Sequence, residues 1–184
     1  ISKIFALKYI LAIINSKFAK FYLNTIRRHR IEYYFYPDDL KKIPIKKIPP
    51  KDQTPFIRLA DIMLSKNKEL QEIQKKFTKL LVSEFKLDKL SEKLENWYLL
   101  DWSEFAREVG KKKIVLSAVD EEKWLDRFER LQKEALAIKA VIDSTDKGID
   151  LMVYRLYDLT FDEVKIVDPE FSMNKKDYES YSLK

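Results

Sequence analysis

The sequence predicts a mainly α protein of long helices, a helical hairpin or coiled-coil-like bundle, with a small β element near residues 31–48. Three observations carry this expectation. Only two Gly, Gly110 and Gly148, occur in 184 residues, so tight turns are few and long helices are favoured. Apolar residues recur at the helical period through two extended stretches, Phe56 to Leu81 and Trp124 to Ile142. Four of the six Pro fall between Pro37 and Pro50, which concentrates the chain breaks in one place.

Each element follows from its residues. Phe5 to Ile26 reads as one helix, with Leu7, Ile10, Leu11, Ile14, Phe18, Phe21 and Tyr22 on the apolar period. Ile31 to Tyr36, with three Tyr and a Phe in six residues, reads as a strand. Ile43 to Pro49 is extended, since a residue before Pro avoids the helical region. Its Pro lack N–H donors, so it is an edge strand or a linker. Gln53-Thr54-Pro55 starts a helix of roughly 25–30 residues, with Pro55 near the tolerated first turn. Leu87 to Leu100 and Trp102 to Val109 read as shorter helices, and Ile114 to Leu116 as a short strand. A second long helix runs from Glu121 to Ser144, after which Ser144 or Thr145 caps a further helix through Leu159. Thr160-Phe161-Asp162-Glu163 matches a capping box that opens one more short helix. The expected organisation is therefore residues 1–51, a helical body over 52–168, and a flexible polar tail over 169–184.

Composition removes several function classes. A hydrophobic fraction of 46% supports a core. The absence of Cys removes disulfides, thiolate metal sites and Cys nucleophiles, and fits a reducing cytoplasm. His29 is the only His, so zinc sites of the Cys/His kind and His-containing triads cannot be built. Two isolated Gly make no phosphate or dinucleotide loop. No membrane span is expected: Ile4 to Ile14 is broken by Lys8 and is too short for a bilayer. Lys3 could mimic the start of a signal peptide, but no small-residue cleavage site follows. The opening Ile suggests a piece of a longer chain. Asp38 and Asp39, beside Lys41, superficially match a metal-dependent nuclease. Such a site needs carboxylates from separate elements, and these share one Pro-Asp turn.

Charge is distributed unevenly. The net charge is +6, but residues 1–51 carry twelve Lys or Arg against three Asp or Glu, a net +9, and the remainder nets −3. A cationic head suits a polyanion, because phosphate neutralisation drives non-specific nucleic-acid binding. A solvated lysine-rich surface accounts for the same counts. Within the head, Arg27, Arg28, His29 and Arg30 adjoin Tyr33 and Tyr34. Arg clamps phosphates or reads guanine edges through paired hydrogen bonds, and aromatics stack on bases. A basic run is equally the ordinary end of a helix, where cations oppose the dipole. Lys41, Lys42, Lys46 and Lys47 are candidate phosphate contacts, or else charges protecting a sheet edge. The aromatic residues Trp97, Tyr98, Trp102, Trp124, Tyr154 and Tyr157 lie at helical spacing and read as core.

Several segments resemble a known family. Ala12-Ile13-Ile14-Asn15-Ser16-Lys17 with Phe21-Tyr22, then Leu40 to Ile45 with Ile48-Pro49, then Gln53 and Pro55-Phe56-Ile57, resemble restriction-modification target-recognition domains. Lys93 to Tyr98, Glu122 to Leu125, Ile142 to Asp146, Ile149-Asp150, Val153-Tyr154, Leu156-Tyr157 and Leu159-Thr160 are similar to the helical tail that follows such domains. Together they look like the TaqI-like C-terminal specificity domain and tail of fused type II DNA adenine methyltransferases. The resemblance spans residues 5 to 168, with Gly148 where a helix-forming polar residue is expected.

Full-length members of that family methylate adenine N6 with S-adenosylmethionine, and many also cut DNA with magnesium. The catalytic motif is missing from this sequence: Ile48-Pro49-Pro50-Lys51 has the two Pro without the Asn or the aromatic. The resemblance therefore implies DNA target recognition without catalysis or cofactor in residues 1–184. The implied partners are double-stranded DNA, an upstream methyltransferase domain of the same polypeptide, and a second copy through the long helices. The alternative is a coiled-coil interaction module without DNA affinity. A third reading makes Asp38 or Asp39 a metal ligand of a nuclease.

Overall fold

The computed structural model describes residues 4–26, 37–114 and 117–182. Among these residues the chain is mainly α, as its periodicity predicts, with no strand. The helices are α1 (Leu7–Asn15), α2 (Lys17–Ile26), α3 (Pro37–Leu40), α4 (Pro50–Phe85), α5 (Glu92–Glu95), α6 (Trp102–Gly110), α7 (Ala118–Leu156), α8 (Phe161–Val167) and α9 (Lys175–Ser180), with a 3-10 turn at Trp97–Leu99. They form two compact units: Ile1–Met63 with Ser144–Lys184, and Leu64–Asp143. The boundary expected near residue 51 falls inside the first unit, because α4 has already begun at Pro50.

In the first unit, the expected single helix from Phe5 to Ile26 is two helices. Ser16 adopts an extended backbone with ψ of 158° and ends α1. Its hydroxyl donates to Ile13 O at 2.7 Å and accepts from Ala19 N at 3.2 Å, so one side chain closes α1 and opens α2. Tyr9, Ile13, Ala19 and Leu23 from these helices pack with Phe56 of α4 and with Ile149, Met152 and Val153 of α7. The Tyr9 ring meets Phe56 edge-on at 5.2 Å, and its hydroxyl donates to Lys46 O at 2.7 Å.

The expected strand over 31–36 lies outside the described residues, as do Val115 and Leu116 of the strand expected over 114–116. Pro37–Leu40 is one turn of helix, and residues 44–49 belong to neither helix nor strand among the described residues. Of the two readings of Ile43 to Pro49, the linker is the one observed. It is held by side chains: buried Gln53 accepts from Ala6 N at 2.8 Å and donates to Ile4 O and Ile48 O at 2.8 and 3.1 Å. Gln53 therefore satisfies backbone groups that a sheet would otherwise pair.

The helix break expected at Ser144 or Thr145 is absent, and α7 runs uninterrupted for 39 residues. Ile142, Thr145, Ile149, Met152 and Val153 continue one buried stripe through that point, and packing outweighs local capping preference. Gly148 lies within the helix and faces Leu59. The helix ends where Asp158 takes a left-handed φ of 57° and Leu159 N donates back to Tyr154 O at 3.0 Å. Lys86, with φ of 49° and Leu87 N donating to Val82 O, ends α4 in the same way. Non-glycine residues thus occupy the αL position usual for Gly, at a steric cost.

The capping box predicted at Thr160 is present and starts α8. The segment after Pro169, expected to be a flexible tail, carries α9, capped by Asn174. Tyr178 is fully buried with Tyr154 and Val164, and its hydroxyl donates to Leu159 O at 2.7 Å. A large aromatic with a satisfied hydroxyl is what ties this polar stretch down.

The second unit is organised by aromatic packing. Phe77 of α4 stacks on Trp97 at 3.8 Å, and Phe105, Trp124 and Phe128 surround it. Phe85 meets Trp124 while Phe77 meets Phe128, so α4 and α7 run antiparallel here as a helical hairpin. Leu87 to Leu100, expected as a helix, is the short α5 and the 3-10 turn. Gln132 donates to Leu100 O at 2.5 Å and Gln74 to Glu95 O at 2.7 Å, replacing helical partners at that break. Asp101 and Glu104 form a reciprocal capping box at the start of α6.

Candidate nucleic-acid interface

The cationic head is built on α2 and on the linker before α4. Helix α2 ends at Ile26, and the chain continues directly into Arg27, Arg28, His29 and Arg30. These four residues, with Tyr33 and Tyr34, lie outside the described residues.

The four lysines of the linker differ in environment. Lys41 and Lys42 are exposed and pair within one turn with Asp38 and Asp39, each at 2.7 Å. Exposed pairs of this kind contribute about 0–1 kcal/mol, so a polyanion competes with them readily. Lys46 is committed elsewhere. Its amine donates to Leu156 O at 2.7 Å and pairs with Asp158 at 2.5 Å. A cation bonded to the last carbonyls of α7 is placed against the negative end of the dipole. The hydrogen bond and charge of Lys46 hold Asp158 below the usual carboxylate range. Lys47 is exposed and borders a shallow concavity with Ile4, Ile48 and Pro49. All four predicted phosphate contacts are therefore exposed, and Lys46 is in addition bonded to the end of α7. Asp38 and Asp39 are each engaged by a lysine. Among the described residues, no three His, Cys, Asp or Glu side chains converge as metal ligands.

A polar cluster that the sequence reading did not single out sits at the other end of α2. Asp150 and Asp168 are both more than nine-tenths buried. Lys17 N donates to Asp150 Oδ1 at 2.8 Å, and Lys17 Nζ pairs with Asp168 Oδ1 at 2.8 Å. Tyr154 donates its hydroxyl to Asp168 Oδ2 at 3.3 Å. Burial pushes the Asp150 carboxyl up to about 6, opposed by the Lys17 amide and assisted by the charge of Asp146. Burial presses the Lys17 amine down, but the hydrogen bond and charge of Asp168 leave it above its usual value. A cavity of about 350 Å³ adjoins the cluster, with Lys147, Glu170 and Phe171 on its wall. The available signal is one of placement: Asp150 is a carboxylate beside buried Ile149 and one turn before buried Tyr154.

The class defined by these features is a mainly α protein with a basic N-terminal head. The chain belongs to the family described as Domain of unknown function (DUF8810), whose model matches residues 49–153, more than half of its length. The match takes in α4, α5, α6 and most of α7, and leaves residues 1–48 and the segment from Tyr154 onward outside. Neither the curated proteins nor the solved structures returned a match.

Proposed function

We propose that this chain is the DNA-recognition and scaffold part of a restriction-modification DNA adenine methyltransferase, non-catalytic by itself, acting in the cytoplasm. One observation carries the reading: residues 1–51 hold a net +9 while the rest of the chain is slightly acidic. A charge excess so concentrated in one stretch of sequence favours phosphate there. Support comes from the exposure of Lys41, Lys42 and Lys47 and from the arginine run that follows α2 in the sequence. The resemblance of the linker and of the start of α4 to target-recognition domains agrees with this assignment. Methylation requires the target adenine to leave the stack, so a separate module must hold the duplex meanwhile. S-adenosylmethionine chemistry, and magnesium where the parent cuts DNA, belong in this reading to an upstream domain.

The test is retardation of duplex DNA by residues 1–184 at low and moderate salt. Binding is expected to weaken steeply with salt and to drop on changing Arg27, Arg28 and Arg30 together to Ala. Retention of full affinity by that triple variant sinks the assignment.

A second reading, a helical interaction module, is favoured by aliphatics left exposed in the second unit: Leu80 and Val82 on α4, Leu136 and Val141 on α7. Sedimentation separates the two. A tight dimer without DNA affinity supports the second.

A further inference from the structure

We propose that the cavity beside Asp150 binds a primary alkylammonium group, with the nitrogen on the buried Asp150 carboxylate and the carbon chain against Leu151, Phe171 and Met173. Such a site stands whether or not the cationic head binds DNA. Every residue it uses lies in the first unit.

The carboxylate is half used by the fold. Asp150 is only 4% exposed, and its Oδ1 accepts the Lys17 amide. No donor among the described residues reaches Oδ2. That oxygen is not sealed in the core either: among the described residues, the only fully enclosed side-chain atom without a partner is Trp97 Nε1. Asp150 borders the cavity, and Oδ2 is open to it. Asp168 differs, because Lys17 Nζ takes one of its oxygens and the Tyr154 hydroxyl the other. For its own bonding the fold needs one oxygen at position 150, and Asn would supply it without burying a charge. The second oxygen and the charge are left over for a ligand.

The surroundings select a cation. Asp146, Asp150, Asp168 and Glu170 stand near Lys17 and Lys147, four carboxylates to two amines, a net −2 when all are ionised. The Lys17 ammonium pairs with Asp168 and not with Asp150. A divalent metal ion matches the site poorly. Calcium and magnesium take about six oxygens or more, and no three His, Cys, Asp or Glu side chains converge among the described residues. An alkylammonium needs few acceptors, and its chain suits the apolar walls. The cavity, at about 350 Å³, is at the small end of the roughly 300–1,000 Å³ usual for ligand pockets, which favours a short chain.

The test is a titration of residues 1–184 with n-pentylamine at about pH 7.5, followed by amide and methyl NMR. Saturable shifts are expected at the Lys17 amide and at the methyl groups of Leu151 and Met173, with millimolar half-saturation. n-Pentanol has the same chain without the charge and should bind at least about tenfold more weakly. Asp150→Asn keeps an oxygen for the Lys17 amide and should also lose at least about tenfold in pentylamine affinity. If that variant does not fold, the comparison of the two ligands on the native chain decides alone. A capped tripeptide with a central lysine presents the same group as a partner protein would. It too is expected to bind, and the tighter of the two amines identifies the source.

Pentanol binding as tightly as pentylamine overturns the site, as does full affinity in Asp150→Asn or the absence of any saturable shift. A chain that binds pentylamine but retards no DNA keeps this site and loses the DNA reading. Retardation of DNA without pentylamine binding does the reverse.

Discussion

The backbone amide of Lys17 donates to a carboxylate oxygen of Asp150 across 133 residues of chain. This contact places an ionisable group inside the first unit where the fold disfavours its charge. The consequence for stability has a definite sign. The folded-state value of about 6 stands above the ordinary carboxylate value of 3.8. Below 3.8 the group is protonated folded and unfolded, and the fold pays no penalty. As pH rises to about 6 the unfolded chain ionises first and stability is lost; above 6 the loss is constant, at most about 3 kcal/mol. Asp150→Asn removes this loss. Urea melts should show the variant more stable than the native chain at pH 8, with a much smaller gain at pH 4.5. Equal gains at the two pH values would contradict the assignment.

Lys46 and its neighbours Lys41 and Lys42 should separate cleanly. Lys46→Ala removes the cation from the end of α7 and is expected to cost about 1 kcal/mol of stability. Lys41→Ala and Lys42→Ala release only same-turn surface pairs and should cost less than about 0.5 kcal/mol. In DNA binding the order reverses: each of these two should flatten the salt dependence by roughly one unit of slope. Thermal melts and salt titrations of the three variants decide both points.

Gln53 is buried, and its side chain serves three backbone groups on two segments. Gln53→Met keeps the volume and strands Ala6 N and Ile48 O. The expected loss is about 2–3 kcal/mol, because unpaired buried amides cost more than the bonds are worth on average. Chemical denaturation measures it. A neutral result would mean that water or a shifted linker takes over the bonds.

Phe77 touches four aromatic rings in the second unit. Phe77→Ala should cost about 3–5 kcal/mol and abolish the near-ultraviolet dichroism of that cluster. Trp97→Phe is a useful contrast. The indole N–H of Trp97 is buried and finds no acceptor among the described residues, so its removal offsets part of the lost volume. The Trp97→Phe loss is expected to be well under half that of Phe77→Ala.

Much of the architecture was legible in the sequence because it depends on period. The long helices, the linker with its prolines and the capping box at Thr160 all follow from spacing or local chemistry. The misread points are those where distant partners decide. Ser144 and Thr145 carry a cap signal, yet the buried stripe continues through them. Ser16 falls inside an apolar-periodic stretch, yet the helix breaks there and Asp150 takes the amide of Lys17. The tail looked too polar to pack until Tyr178 found a slot beside Tyr154. The candidate site divides in the same way. Charge counting locates the head, but it cannot tell Lys46, turned onto the end of α7, from Lys41, which faces solvent. The polar cluster at Lys17 is formed by residues more than a hundred positions apart, and no local pattern records such a meeting.

The first unit joins the two ends of the described chain, while the second is one uninterrupted stretch, Leu64–Asp143. During synthesis the inner stretch is therefore complete and able to fold while Tyr9, Ile13 and Phe56 still lack Ile149, Met152 and Val153. A product ending between residues 144 and 148 holds the whole of the second unit, yet its Tyr9, Ile13 and Phe56 lack the three side chains of α7 that cover them.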